Sequence, residues 1–165
     1  GSYQDWLLQG SASGGAVLDL HVHDIDVAHW WFGPAHTVRA QGLIHEDLPL
    51  LAESTWQYGD GPLVQLHASW DLHGGPFRFG FHVMMDRGTI AYDSALDGDA
   101  LRLYEPAGRE TRLPFASTSP NQLQIDDLLA SLEAGRTVER VTLQDGIRAA
   151  AVAEETLRQI QQGVA

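Results

Sequence analysis

The sequence predicts an α+β domain: one large, predominantly antiparallel sheet with helices packed on one face. Three observations carry this expectation. Helical periodicity is confined to the two ends of the chain. The stretch from Thr37 to Phe115 is cut into short runs rich in Val, Leu, Thr, Trp, Tyr and Phe. No helical segment separates those runs, as successive parallel strands would require. With 165 residues, 44% apolar side chains and no cysteine, the chain reads as one globular domain over residues 1–165 whose core needs no disulfide.

The opening helix is expected from about Gly14 to Phe32, with Ser11 and Ser13 offering capping oxygens and Gly33-Pro34 ending it. Turn signals then punctuate the strands at Asp60-Gly61-Pro62, Gly74-Gly75-Pro76, Asp97-Gly98-Asp99 and Pro106-Ala107-Gly108. From Leu63 to Trp70 the pattern alternates. Val64, Leu66, Ala68 and Trp70 fall on one face, and Gln65, His67 and Ser69 on the other. Ser119-Pro120-Asn121-Gln122 predicts a capping box opening a helix that Gly135 ends, with Ile125, Leu128, Leu129 and Leu132 as its buried stripe. A last helix opens at Thr142–Asp145 and closes near Gly163, and is expected to bury Ile147, Ala150, Ala151, Leu157 and Ile160. Three helices cannot cover both faces of a sheet of six or more strands, so self-association through the sheet is expected.

Charge narrows the partners. The formal net charge is −12, and all ten basic residues are scattered arginines, so neither nucleic acid nor an anionic membrane surface is an expected partner. There is no apolar run near the ~20 residues of a membrane span, and the amino terminus lacks the features of a signal peptide, which makes the cytoplasm the expected compartment. The chain contains no lysine, so no step that needs a lysine amine can be performed by it.

One stretch is chemically anomalous: residues 14–33, GGAVLDLHVHDIDVAHWWFG, place three aspartates and three histidines in an otherwise apolar helix. On a helix Asp19, His23, Asp26 and Trp30 follow at steps of four, three and four and share a face, beside an apolar face of Leu18, Val22 and Ile25. A carboxylate one turn before an imidazole can orient it and stabilise its protonated form, which suits proton transfer. The same spacing also fits a solvated ion pair on a surface helix. Read as a strand, His21-Val22-His23 could instead grip a divalent metal, and Leu18–His23 resembles the first metal strand of amidohydrolases. That barrel needs roughly 250 residues with helices between its strands. The metallo-β-lactamase pattern HxHxDH also fails, because position 25 is Ile and position 26 is Asp. On a helix His21 and His23 point apart, so no metal is expected.

With Asp19-x-x-x-His23 following Gly14-Gly15, the run from Gly14 to Gly33 resembles the first helix of the carboxy-terminal domain in the glucose-fructose oxidoreductase / inositol dehydrogenase / MocA family. Asp60–Trp70 resembles that family's central strand, Met85–Ile90 its strand with a glycine turn, and Ile125–Gly135 with Leu143–Gly163 its closing helix pair. The resemblance implies a fold of this kind that dimerises or tetramerises through the sheet. It implies a parent enzyme that oxidises or reduces a sugar, inositol or related polyol with NAD or NADP bound to an amino-terminal Rossmann domain. It assigns His23 as the acid/base that takes the substrate hydroxyl proton as hydride leaves the carbon, and Asp19 as the group that orients it. Asp26 and Arg78, the latter within Phe77-Arg78-Phe79-Gly80-Phe81-His82, are the candidate substrate-binding residues. The sequence departs from the family in having no G-x-G-x-x-G run and no lysine for the Glu-Lys-Pro motif. No cofactor is therefore expected on this chain alone, and it reads as the carboxy-terminal half of such an enzyme. A non-catalytic dimerising or sugar-binding module is the alternative. His67 and His82 read as polar-face sheet residues, Trp30 and Trp31 as core or interface filling, and His21, His29, His36, His45 and His73 carry no assigned role.

Overall fold

The computed structural model describes residues 3–70, 74–115, 118–137 and 140–163. In chain order the elements are α1 (Gly10–Ser13), α2 (Val22–Phe32), β1 (Thr37–His45), β2 (Leu48–Gln57), β3 (Leu63–Ser69), β4 (Gly80–Met85), β5 (Gly88–Asp93), β6 (Ala100–Glu105), β7 (Arg109–Pro114), α3 (Pro120–Glu133) and α4 (Leu143–Gly163). They form two compact units, the first from residues 1–73 and 139–165 and the second from residues 74–138. The α+β class and the antiparallel pairing are as expected. The strands are divided between two ladders, β1-β2-β3 in the first unit and β4-β5-β6-β7 in the second. All four turn signals read from the sequence fall between strands.

In the first unit the entry to the long helix differs from the regular α-helix that its periodicity suggests. Gly14 and Gly15 both take positive φ, at 69° and 56°, and Val17–His21 then forms a π turn that runs directly into α2. Ser13 Oγ accepts the Gly15 N–H at 3.1 Å in a turn just before this entry, but no side chain caps the helix itself. Nor does Ser11, its own N–H being taken by the Asp47 carboxylate at 3.2 Å. Gly33 ends α2 with φ 74°, and its N–H closes on the His29 carbonyl at 2.8 Å.

Ala52, Ser54 and Trp56 on β2 face the helices, and Trp56 is the largest fully buried side chain. Around it gather Val17, Ile25, Ala28, Ala149, Ala153 and Ile160. The opposite side of the ladder carries Gln41, Glu53 and His67, joined by hydrogen bonds of 3.0 Å from Gln41 and 3.2 Å from His67 to the Glu53 carboxylate. The alternation expected in β3 holds, with Val64, Leu66 and Ala68 on the more buried side.

Three expected stripes need correction. The buried side of the first helix is Val17, His21, Ile25 and Ala28, while Leu18 is 38% exposed, because the wider π turn sets the phase of the following helix. In α4 the buried residues are Ala149, Ala153, Thr156 and Ile160, and Ile147, Ala150 and Ala151 are exposed. The run Ala149-Ala150-Ala151-Val152-Ala153 has too little contrast in hydrophobicity to define a phase, so packing against α2 and β1 chooses it. Thr142 and Asp145 do form a reciprocal capping box there, with the Thr142 N–H donating to Asp145 at 2.8 Å and the Asp145 N–H to Thr142 Oγ1 at 3.3 Å. In the second unit, Ser119 makes no side-chain cap on α3, and Gln122 donates to Asp126 at 2.6 Å instead. The α3 stripe of Ile125, Leu128, Leu129 and Leu132 is exposed, and Ser131 is that helix's buried residue. No strand of its own unit packs extensively against α3, so that stripe has little in the unit to be buried against.

The glycine pair offers a test of the helix entry. A Cβ on Gly15 would lie 2.3 Å from the Pro49 carbonyl oxygen in addition to adopting a left-handed backbone. Gly15→Ala should lower stability by at least about 2 kcal/mol in a denaturant titration. Unchanged stability would show that the entry is not held as described.

Candidate functional site

The site is built on the junction of the π turn and α2. A π turn inside a helix replaces an i→i+4 closure by i→i+5, seen here in the Val22 N–H bonded to the Val17 carbonyl. It buries His21 completely and leaves Asp19 and His23, one helical turn apart, both exposed. Asp26 follows on α2 and is half-buried. The carboxylate and the imidazole are thus both exposed on one short segment. Trp70, just past the end of β3, reaches this segment: its indole Nε1–H donates to Asp19 Oδ2 at 3.1 Å.

Beneath the segment lies a polar joint that sequence reasoning left without a role. His21 Nε2 lies 3.0 Å from Ser54 Oγ, which also accepts the Trp56 indole N–H at 3.0 Å. Both contacts of Ser54 are met when its hydroxyl donates to His21 Nε2, which places the proton of the neutral ring on Nδ1. That nitrogen is buried without a hydrogen bond, 3.9 Å from Asp24 Oδ2. Burial lowers the His21 pKa to about 4, with a smaller push from His67. Burial also raises the Asp24 carboxyl to about 6, against opposing pulls from His23 and His67. The neutral pair is therefore the native state of this joint across mildly acidic pH. The signal in the sequence was the pair His21 and Ser54 at the apolar positions of two different elements.

Further along α2, His29 packs its ring on Trp56 with centroids 5.1 Å apart, and burial lowers its pKa while Asp26 raises it. Trp30 and Trp31 lie outside the core, 77% and 40% exposed. His21 inward and His23 outward cannot share a metal ion, and no group of three metal-ligating side chains is gathered among the described residues. His73 lies outside the described residues.

Arg78 belongs to the second unit, where its guanidinium is held by both carboxylate oxygens of Asp93, with Nε–Oδ1 at 3.0 Å. Asp93 in turn caps the Ala95 N–H at 2.9 Å, and its own N–H donates to the buried Asp97 at 2.6 Å. Phe77, Phe79 and Phe81 lie on the other side of this segment, with Phe79 and Phe81 against Tyr92. Two clear concavities in the first unit lie away from Asp19 and His23. One is over the open sheet side around Arg39, Glu53 and His67, and the other is beside Gly10, Asp47 and Pro49.

The chain belongs to the GFO/IDH/MocA family: the family's C-terminal domain matches residues 2–91. The fold is shared with UDP-N-acetylglucosamine 3-dehydrogenase GnnA from Acidithiobacillus ferrooxidans, at 21% identity and a TM-score of 0.79 over 92% of this chain and 49% of that one. Levoglucosan dehydrogenase, solved with NADH and levoglucosan, matches at 16% identity and a TM-score of 0.80 over 98% of this chain and 52% of that one. A Desulfitobacterium hafniense protein described as an NADPH-dependent oxidoreductase matches at 19% identity and a TM-score of 0.79, over 96% and 50%. The chain spans about half the length of these proteins. No curated protein sequence matches it.

The buried joint makes a testable claim about pH. The unfolded chain takes up a proton at His21 below about pH 6.5, whereas the folded chain does so only near 4. His21 therefore contributes stability that is full above 6.5 and is lost as pH falls to 4, about 3 kcal/mol in all. The raised Asp24 carboxyl acts with the opposite sign, adding stability as pH falls from about 6 towards 4. On moving from pH 7 to pH 4, the stability of His21→Gln relative to wild type should shift by about 3 kcal/mol in the variant's favour. An unchanged difference would refute a buried neutral His21.

Proposed function

We propose that this chain is the substrate-binding and oligomerisation half of an NAD(P)-dependent oxidoreductase acting on a sugar, inositol or related polyol. The observation that carries this reading is the outward Asp19–His23 pair, placed on the first long helix of a domain belonging to an oxidoreductase family. The dehydrogenases with which the fold is shared support the substrate class: one is named for a UDP-sugar, and another was solved with NADH and levoglucosan.

The chain's own residues do not fit a dinucleotide. They include no G-x-G-x-x-G turn. NAD(P) would be held by polypeptide outside this sequence, as would any catalytic lysine. The part proposed for this chain is to bind the polyol and handle its proton. His23 accepts the proton of the substrate hydroxyl as the carbon is oxidised and returns it in the reverse direction, and Asp19 orients the imidazole or that hydroxyl. General acid/base help of this kind is typically worth 10²- to 10⁴-fold. Asp26 is proposed as a substrate contact beside His23. Arg78, engaged by Asp93 in the second unit, is proposed as a further substrate-binding residue. The facing wall of the cleft is assigned to the cofactor-binding half.

The alternative, a module that associates or holds a sugar without turning it over, is favoured by one fact: this sequence has neither lysine nor nucleotide motif. The readings separate in the protein joined to its cofactor-binding half. There, His23→Ala should lower NAD(P)-dependent polyol turnover at least 100-fold, and near-normal turnover would remove His23 from the mechanism. Self-association is proposed through the open, polar side of the β1-β2-β3 ladder. Sedimentation at high protein concentration should show a dimer or larger species, whereas a strict monomer would refute that part of the proposal.

A further inference from the structure

We infer that Trp70 is a positioning residue for Asp19, acting through its indole N–H. The inference rests on the assignment of Asp19 and His23 proposed above and extends it to a residue on a different element, 51 positions away in sequence.

Four observations carry it. The Trp70 Nε1–H donates to Asp19 Oδ2 at 3.1 Å, a contact at the surface. An indole nitrogen is a donor only, so it can hold a carboxylate oxygen but cannot compete with that carboxylate for a proton. The Trp70 backbone is itself pinned, its N–H donating to the Leu50 carbonyl at 2.8 Å and so extending the β2–β3 ladder by one residue. The residues before it on the same side of the strand, Leu66 and Ala68, are turned towards the buried side of the ladder, from which β3 meets the π turn. The ring thus projects from a backbone held by the sheet, and through it the sheet holds one oxygen of a carboxylate that the helix alone would leave free to rotate.

This matters because an exposed aspartate samples several rotamers, and only some leave an oxygen directed along the helix towards His23. Tying Oδ2 to the indole reserves Oδ1 for the imidazole or a substrate hydroxyl. A bond from a donor whose backbone the sheet holds is suited to that task. Misplacement of a catalytic group by about 1 Å can cost as much as 100-fold in rate, which sets the size of the expected effect.

The test uses the protein joined to its cofactor-binding half. Trp70→Phe keeps the ring and deletes the donor. It should lower kcat between about 10- and 100-fold with KM near its wild-type value. In an Asp19→Ala background the same substitution should have no further effect on kcat, because the group through which it acts is gone. Independent, multiplying losses in the double variant would overturn the inference, as would full activity of Trp70→Phe. If Trp70→Phe fails to fold, the wild-type protein still decides: the Trp70 indole proton should exchange more slowly than in Asp19→Ala, and equal exchange overturns the inference. Full activity of His23→Ala would refute the site assignment and this inference with it. Loss of activity in His23→Ala with Trp70→Phe intact would refute this inference alone.

Discussion

The orientation of the first long helix depends on how its inner side is packed. Val17, His21 and Ile25 are fully buried, and His21 hydrogen-bonds to Ser54, which also holds the Trp56 indole. Directional bonds in a core specify rotation about the helix axis more sharply than apolar contacts do, because an unmet buried donor or acceptor costs roughly 1–3 kcal/mol. With His21 held inward, Asp19 and His23 face outward. The π turn belongs to the same constraint, since it sets the phase between the segment bearing Asp19 and the helix bearing His23.

A buried histidine is an unusual choice for such a joint, and its electrostatics show what it requires. Burial disfavours the imidazolium, and the nearby Asp24 carboxyl is raised for the same reason. The interior thus holds a neutral ring beside a half-exposed acid, while exposed His23 two residues later stays in contact with water. Two histidines separated by one residue therefore occupy opposite environments, as helical geometry requires.

The two units divide the chain's chemistry unequally. The first contains the helix pair, the three-stranded ladder and the Asp19–Trp70 bond. The second contains a four-stranded ladder whose charged residues are largely engaged with one another, Arg78 with Asp93 and Arg102 with Asp97 at 2.8 Å. Its exposed Phe77 and Phe79, and the exposed stripe of α3, are apolar surfaces that this unit does not itself bury.

The strand segments, their turns and the outward placement of Asp19 and His23 were legible in the sequence. Alternation, glycine-containing turns and helical spacing are local signals, each expressed within a few residues. Legible too was the opening of the last helix at Thr142–Asp145, where the structure forms a reciprocal cap, while the capping box expected at Ser119 did not form. What the tertiary structure alone decided was phase and partnership. A run of alanines cannot say which of them faces the neighbouring helix, and a histidine between apolar residues cannot say that a serine 33 positions away will meet it. The bond from Trp70 to Asp19 is of the same kind. It joins a strand end to a residue 51 positions earlier in the chain, and such pairings arise only when the chain has folded back on itself and buried surface has fixed which side chains meet.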